Sequence, residues 1–396
     1  MKLIDKIDLI TDKLNQYLSL QIIIAIVAGT LCGIFYPATA AKMQWVGNLF
    51  VSAIEPFVAP VIFLTVVTLF GGLENLNSIG QIIIKALIYF VLISIIAILF
   101  GMVMASLIQP GKINRAQLAE ILPGQLITSQ YSRWINFILQ NSMLILLFTA
   151  VVIGLIINQS KLKTKATDFF DLLRKFVMSI LRYIFVFAPV VAFSGIAYTV
   201  GRYGTDSLLP IGKMLAGTYI AMFLFVFLVL GAILLMLRMN IVKFIATIKN
   251  ELLYALGTSS SSSVIPLLMD RLEVIGLKRD VVRVVTVTGN SLNLNGTCVY
   301  LGMSVMFLAQ LYNISFSWTE LLNIVLIILL TSKGATGIPG TGFLVLVTTV
   351  NSIHRIPVEG LAVLLSIDRF MSEARAITNT IGHGVASLVV SSNTKK

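Results

Sequence analysis

Cysteine and histidine are almost missing from this chain, with two of each in 396 residues. Cys32 and Cys298 each stand alone in apolar sequence, so neither a disulfide framework nor a thiolate metal site can be built from them. His354 and His383 are too few for a zinc centre. Charge is scarce too: Asp, Glu, Lys and Arg make up 12% of the residues, where a soluble domain carries roughly a quarter. With 57% hydrophobic residues, the chain has more apolar surface than a water-soluble fold of this length can hide. A soluble globular enzyme is excluded, and the chain belongs in a bilayer. What charge there is sums to +12, but no Lys/Arg run is interleaved with aromatics. Basic residues beside membrane spans account for the excess, and nucleic acid is not expected as a partner.

Proline and glycine are spread through apolar stretches instead of gathering in linkers. This suits an all-α membrane protein better than a β-barrel, whose strands alternate apolar and polar residues. Residues 1–17 mix Asp5, Asp8 and Asp12 with Lys2, Lys6 and Lys13, which predicts an interfacial amphipathic helix and not a cleavable signal. Apolar runs able to cross about 30 Å of hydrocarbon lie near 18–36, 45–71, 82–108, 142–157, 177–199, 212–236, 283–312 and 357–391. Eight spans put both termini on one side of the membrane. Lys161, Lys163, Lys165, Arg174, Lys175, Arg238, Lys243, Lys249, Arg271, Lys278, Arg279 and Arg283 fall on that side, together with the terminal lysines. Opposite lie only Lys42, Lys112, Arg115, Arg133, Arg202, Lys213 and Arg355. By the positive-inside rule both termini are cytoplasmic.

Two segments do not read as full spans. In 251–269 an apolar run is broken by six hydroxyl residues, Thr258 to Ser263, and then by Pro266. The stretch 319–350 is broken by TSKGATGIPGTG at 331–342. Backbone that leaves helix at membrane depth must be buried in protein or line a watery cavity, since lipid cannot satisfy its N–H and C=O groups. Both are therefore read as re-entrant hairpins. Each is followed by a long span with its own polar motif, so 251–312 and 319–391 form two hairpin-plus-helix units of inverted topology. Such paired interrupted segments point to a transporter's midplane site; ordinary helices joined by a Ser-rich and a Gly-Pro-rich loop are the plainer reading.

The last span carries Asp368, Ser372, Arg375, Asn379 and His383 at helical spacing, which makes one polar stripe. Charged groups inside hydrocarbon are costly and usually mark a pathway. The planar fork of Arg375 suits bidentate recognition of a carboxylate, while an Asp368–Arg375 or Glu373–Arg375 pair that only locks helices is the alternative. The preceding span contains TGNSLNLNGT at 288–297. Gly and Asn are weak helix formers, and carbonyls freed by unwinding there are hard ligands for a small cation. A small-residue helix-packing face is the other reading of that segment.

These segments together resemble the dicarboxylate/amino acid:cation symporter family, which includes the glutamate transporter homologues. The matching motifs are SSSS with its following Pro (259–266), N-x-x-G-T (Asn293 to Thr297), the Ser332 to Gly340 tip, and Asp368, Arg375 and Asn379 on the last span. APVIFLTVVT at 59–68 and DRFMSEARAITN at 368–379 look most like the bacterial C4-dicarboxylate branch.

The resemblance implies a homotrimer in a bacterial inner membrane. Its static scaffold would be 18–71 and 142–199, around an elevator-like transport domain of 82–108, 212–236, 251–312 and 319–391. It also implies that Ser260, Ser261, Thr297, the backbone from Ile338 to Gly340, Asp368, Ser372, Arg375 and Asn379 surround the substrate. Ser372 stands where amino-acid carriers have an Asp for the substrate's amine, which favours succinate, fumarate or malate.

Cation sites are implied at Gly289, Ser291, Asn293, Asn295, Asn379, His383 and Ser94. A further one is implied on backbone carbonyls of Ser291, Ser332, Lys333 and Ala335. Here Asn295 replaces an Asp, Phe90 and Ile93 replace oxygen-bearing residues, and His383 replaces another Asp. The expectation is therefore symport with protons, with fewer sodium ions than usual, or with both, and no bound cofactor. His383 is the one group on the stripe that ordinarily titrates near neutral pH, and it reads either as a proton carrier or as a neutral filler. Rival readings are an acidic or neutral amino-acid symporter, a passive anion channel, and an intramembrane hydrolase using the Ser run with His383. The hydrolase lacks a group spaced to orient that base, so no catalytic residue is expected.

Overall fold

The computed structural model describes residues 18–72, 76–112, 142–205, 208–335, 337 and 340–392. The amphipathic segment 1–17, Arg115, Arg133, Ile338 and the terminal lysines lie outside the described residues. Nearly everything described is helical, and no strand occurs among the described residues.

The first helices are α1 (Leu18–Phe35), α2 (Gln44–Gly71), α3 (Leu76–Ile108), α4 (Ser142–Gln159), α5 (Lys163–Phe185), α6 (Ala188–Tyr203) and α7 (Leu208–Met236). They are followed by α8 (Lys249–Thr258), α9 (Ile265–Val274), α10 (Arg279–Leu292), α11 (Asn295–Leu311), α12 (Trp318–Thr331), α13 (Thr341–Ile353) and α14 (Leu361–Ser392).

Among the described residues three stretches are long and apolar enough to cross a membrane: Ile82–Ile108, Leu208–Met236 and Arg279–Leu311. Two bent pairs reach the same length, Leu20–Phe35 with Pro37–Gly47 and Lys163–Phe185 with Ala188–Arg202. The apolar run 177–199 is thus not one helix. It breaks between Phe185 and Ala188 with a 47° bend, where a proline in the first turn of α6 removes an N–H that a continuous helix would need. The preceding α5 carries Asp171 between Arg174 at 2.5 Å and Lys175 at 2.8 Å. Burial pushes the Asp171 carboxyl up, but the two cations outweigh it and hold it below the usual range.

Helix α14 lies at the centre, packed against α6, α7, α8, α10 and α11. Its buried face includes Leu364, Leu365, Met371, Ala376, Ile381 and Val385, so the polar stripe is walled by apolar side chains. Helices α3 and α11 cross closely because each offers a glycine. A Cβ on Gly101 would lie 2.2 Å from the Val299 carbonyl oxygen, and one on Gly302 2.5 Å from that of Ile98.

The two hairpins are closed at their open ends by ion pairs. In the first, Arg271 Nε on α9 donates to Glu251 Oε1 on α8 at 3.2 Å. In the second, Arg355 Nη1 reaches Glu320 Oε1, and its guanidinium lies 5.5 Å from the Phe316 ring centroid. Glu320 also completes a capping box with Ser317 at the start of α12.

Gly101→Ala is expected to lower the thermal unfolding midpoint in detergent by several degrees, in line with an overpacking cost of about 1–3 kcal/mol. Gly212→Ala, where a Cβ meets nothing within 4 Å, should leave it unchanged or raise it. Equal midpoints for the two variants would show that the α3–α11 crossing tolerates an extra carbon.

Candidate functional site

The site begins with the first turn of α14's polar stripe. Arg375 Nη1 donates to Asp368 Oδ1 at 2.9 Å and Nη2 to Asp368 Oδ2 at 3.2 Å, so the guanidinium is held by a bidentate pair two turns apart on one helix. Nη2 also donates to Ser372 Oγ at 3.0 Å. The Tyr300 ring of α11 covers one face, its centroid 4.2 Å from Arg375 Cζ. Gly342, in the first turn of α13, packs so closely that a Cβ there would lie 2.8 Å from Nη1 and 2.9 Å from Cζ. All five residues are buried. Of the two readings of Arg375, the intrahelical pair is therefore formed. Two oxygens of Asp368 and one of Ser372 account for three of the five N–H groups of the guanidinium.

One helical turn on, Asn379 Oδ1 accepts the Gly296 N–H at 2.8 Å and Nδ2 donates to Thr297 Oγ1 at 3.4 Å. Asn379 thereby caps the first turn of α11, which starts afresh after the break at Asn293 and Leu294. Gly296 is needed there, since a Cβ would lie 3.0 Å from Arg375 Cα.

The two hairpin tips meet each other. Ser260 Oγ donates to the Gly337 carbonyl at 2.8 Å, and the Ser262 N–H donates to the same oxygen at 3.2 Å. Ser262 Oγ donates to Asn290 Oδ1 at 2.8 Å, while the buried Ser261 Oγ has no partner among the described residues. Gly337 admits no side chain, because a Cβ would meet Ser261 Oγ at 2.1 Å and the Ser262 nitrogen at 2.8 Å. Gly340 has φ +86 and faces the Phe185 ring at 2.8 Å from a built Cβ, so both its backbone and its neighbour require glycine. That residue thus meets α5 and not the guanidinium.

The positions expected to hold cations separate into two groups. In the first, Asn293 Nδ2 donates to the Gly382 carbonyl at 3.2 Å. Asn293 Oδ1, both amide atoms of Asn295 and both ring nitrogens of His383 are buried with no partner among the described residues. The His383 ring lies against Gly289, whose built Cβ would be 3.2 Å from Nδ1. The Gly289 carbonyl already accepts the Asn293 N–H at 2.8 Å.

In the second, Lys333 Nζ donates to Ser94 Oγ and to the Leu292 carbonyl, each at 2.8 Å. Lys333 lies on the turn Ser332–Gly334 that ends α12, where the Ala335 N–H returns to the Ser332 carbonyl at 3.1 Å. Ser291 is buried beside Leu292 on α10. Sequence reasoning counted Lys333 only for its backbone oxygen and missed Tyr300, Gly337 and Gly342. Tyr300 follows Thr297 by three residues and so shares its helix face. No sequence signal shows which oxygens a lysine on a hairpin turn will reach.

Residues 18–393 match the model of the sodium:dicarboxylate symporter family. A protein of Polynucleobacter asymbioticus is 39% identical over 394 residues, covering 95% of this chain and 89% of its own length. One of Janthinobacterium sp. (strain Marseille) is 40% identical over 396 residues, 95% of this chain and 90% of its own length. One of Bacillus subtilis (strain 168) is 37% identical over 398 residues, 96% and 94% respectively. Each of the three is named C4-dicarboxylate transport protein.

Gly337→Ala should hold the two tips apart. With Cys32 and Cys298 replaced by alanine and Ser261→Cys as reporter, maleimide labelling is expected about tenfold faster in the Gly337→Ala background, equivalent to about 1.4 kcal/mol against closure. Equal labelling rates would mean that the tips do not close through Gly337.

Proposed function

Because the chain belongs to the sodium:dicarboxylate symporter family, we propose that it is a secondary active symporter that carries C4-dicarboxylates such as succinate, fumarate and malate. It is a transporter, not an enzyme, and the co-transported cations are protons, a reduced number of sodium ions, or both. The observation that carries the substrate class is the surroundings of Arg375. A buried guanidinium with unused donors offers an anchor for one carboxylate. The residue one turn before it is Ser372, whose oxygen already accepts from Arg375 and supplies no negative charge for an amine. That arrangement disfavours an amino-acid substrate.

In this reading the membrane architecture is eight spans with two re-entrant hairpins, α8–α9 and α12–α13, in inverted repeats, with both termini cytoplasmic in a bacterial inner membrane. A homotrimeric scaffold of 18–71 and 142–199 supports an elevator-like transport domain of 82–108, 212–236, 251–312 and 319–391. Ser260, Ser261, Thr297, the Ile338–Gly340 backbone, Asp368, Ser372, Arg375 and Asn379 form the substrate chamber. Asp368 acts there by orienting the guanidinium. The buried, unpartnered oxygens and nitrogens of Asn293, Asn295 and His383 form a polar cluster beside it that suits a travelling proton or cation, with Gly289 and Asn379 adjoining. The backbone near Ser291, Ser332 and Ala335 is the second place for one.

Uptake of labelled succinate into proteoliposomes under separately imposed sodium and proton gradients tests the function, and counterflow exchange separates a carrier from a channel. No uptake under either gradient would overturn it. Arg375→Ala should weaken succinate binding by at least about thirtyfold, given that truncating one member of a buried charged pair costs 2–5 kcal/mol. The double variant Arg375→Ala with Asp368→Asn removes the stranded carboxylate and serves as the folded control. Ser372→Asp should weaken succinate and strengthen aspartate; an unchanged ratio of the two affinities would show that Ser372 does not face the substrate.

A further inference from the structure

Lys333 is the group whose surroundings call for a role beyond packing. Its ammonium rests on two neutral oxygens, the hydroxyl of the fully buried Ser94 on α3 and the carbonyl of Leu292, the last residue of α10. No acidic side chain is paired with it among the described residues. Lys333 is half-buried; charged groups drawn away from water normally find an opposite charge, as the buried Arg375 finds Asp368. Lys333 has instead the negative end of a helix. The chain leaves helix at Asn293 and Leu294, so the carbonyl of Leu292, at the end of α10, has no helical turn beyond it to donate and shares the partial negative charge of the helix terminus. Hydroxyl and carbonyl oxygens around one positive charge are the ligand set of a small monovalent cation, held here by a side chain. The ammonium comes from the turn at the end of α12, close in sequence to Gly337, which seals the tips. Seating the second hairpin therefore also seats the charge.

We propose that the Lys333 ammonium is a tethered cation that takes the place of one travelling sodium ion at the junction of α3, the α10–α11 break and the second hairpin. The Asp368–Arg375 pair is neutral as a unit, so Lys333 adds a net positive charge to the core before any substrate arrives. A dianionic substrate then needs one fewer dissolved cation for the same balance. Charge, not hydrogen bonding, is what the site requires of this residue. A neutral side chain here should turn the oxygens of Ser94 and Leu292 back into a site that sodium fills.

The test uses Lys333→Gln, which keeps a hydrogen-bond donor and loses the charge, and Lys333→Met, which loses both. The first reading is thermal unfolding of the purified full chain without substrate, with sodium exchanged for choline at constant ionic strength. Sodium should raise the midpoint of both variants more than that of the wild type, since an ion that binds only the folded state stabilises it in proportion to its occupancy. The second reading is succinate affinity against sodium concentration. The slope of the logarithm of affinity against that of sodium should be steeper by about one in both variants, because linked binding is reciprocal. Sodium responses identical to the wild type in both variants would overturn the proposal. So would wild-type behaviour of Lys333→Gln alongside a sodium-insensitive loss in Lys333→Met, which would make the residue a hydrogen-bonding clasp. The proposal rests on the symport reading only for its succinate arm. If the wild type fails to bind succinate, the functional reading falls, while the substrate-free sodium response still decides the role of Lys333.

Discussion

The Asp368–Arg375 pair is the interaction on which the rest of the core depends. A lone guanidinium in hydrocarbon is expensive, and removing one partner of a buried pair typically costs about 3–5 kcal/mol. Both groups are fixed on one helix two turns apart, so the pair forms without a second element. What the other helices add is enclosure. Tyr300 covers one face of the guanidinium, Gly342 lets α13 approach it, and Gly296 lets α11 cross over the Arg375 backbone. These contacts place two segments against α14, α11 just after the helix break and the start of α13.

That enclosure explains why irregular backbone is tolerated at the centre of an apolar protein. Free N–H and C=O groups cannot face lipid, and here they find partners inside the protein. Asn379 receives the Gly296 N–H, Ser260 and Ser262 share the Gly337 carbonyl, and Lys333 takes the Leu292 carbonyl. The ion pairs Glu251–Arg271 and Glu320–Arg355 close each hairpin at the end away from its tip. Each hairpin is thus held at its open end by charge and at its tip by neutral hydrogen bonds. Neutral contacts are the weaker kind.

The cation region shows a second constraint. Five buried polar atoms on Asn293, Asn295 and His383 have no protein partner among the described residues, which in a folded protein usually marks a ligand, a proton or ordered water. A short distance along the chain, at Leu292, the same broken helix is met by a lysine. One half of the break has polar atoms without a protein partner among the described residues, and the other meets a charge that the chain itself supplies.

Much of this was legible in the sequence for physical reasons. Scarcity of charge and length of apolar runs set the membrane environment, because the bilayer is a solvent that admits few polar groups. Helical spacing put Asp368, Ser372, Arg375, Asn379 and His383 on one face, because a helix repeats its side-chain directions every 3.6 residues. The weak helix formers of 288–297 marked the region of the break at Asn293. The bend between Phe185 and Ala188 was read through, since the run 177–199 is apolar on both sides of it and Pro189 is its one local sign. Nor was the partner of any side chain across helices. Tyr300 over Arg375, Gly337 under Ser261, and Lys333 on Ser94 and Leu292 join residues up to 239 positions apart, and no local pattern encodes such a distance. Sequence by itself determined which side chains must leave lipid and on which face of each helix they lie, because both follow from local solvation and local geometry. Only the tertiary structure decided which charge is paired, which is held by neutral oxygens and which buried polar atoms are left open, because those depend on what other helices bring to the same few ångströms.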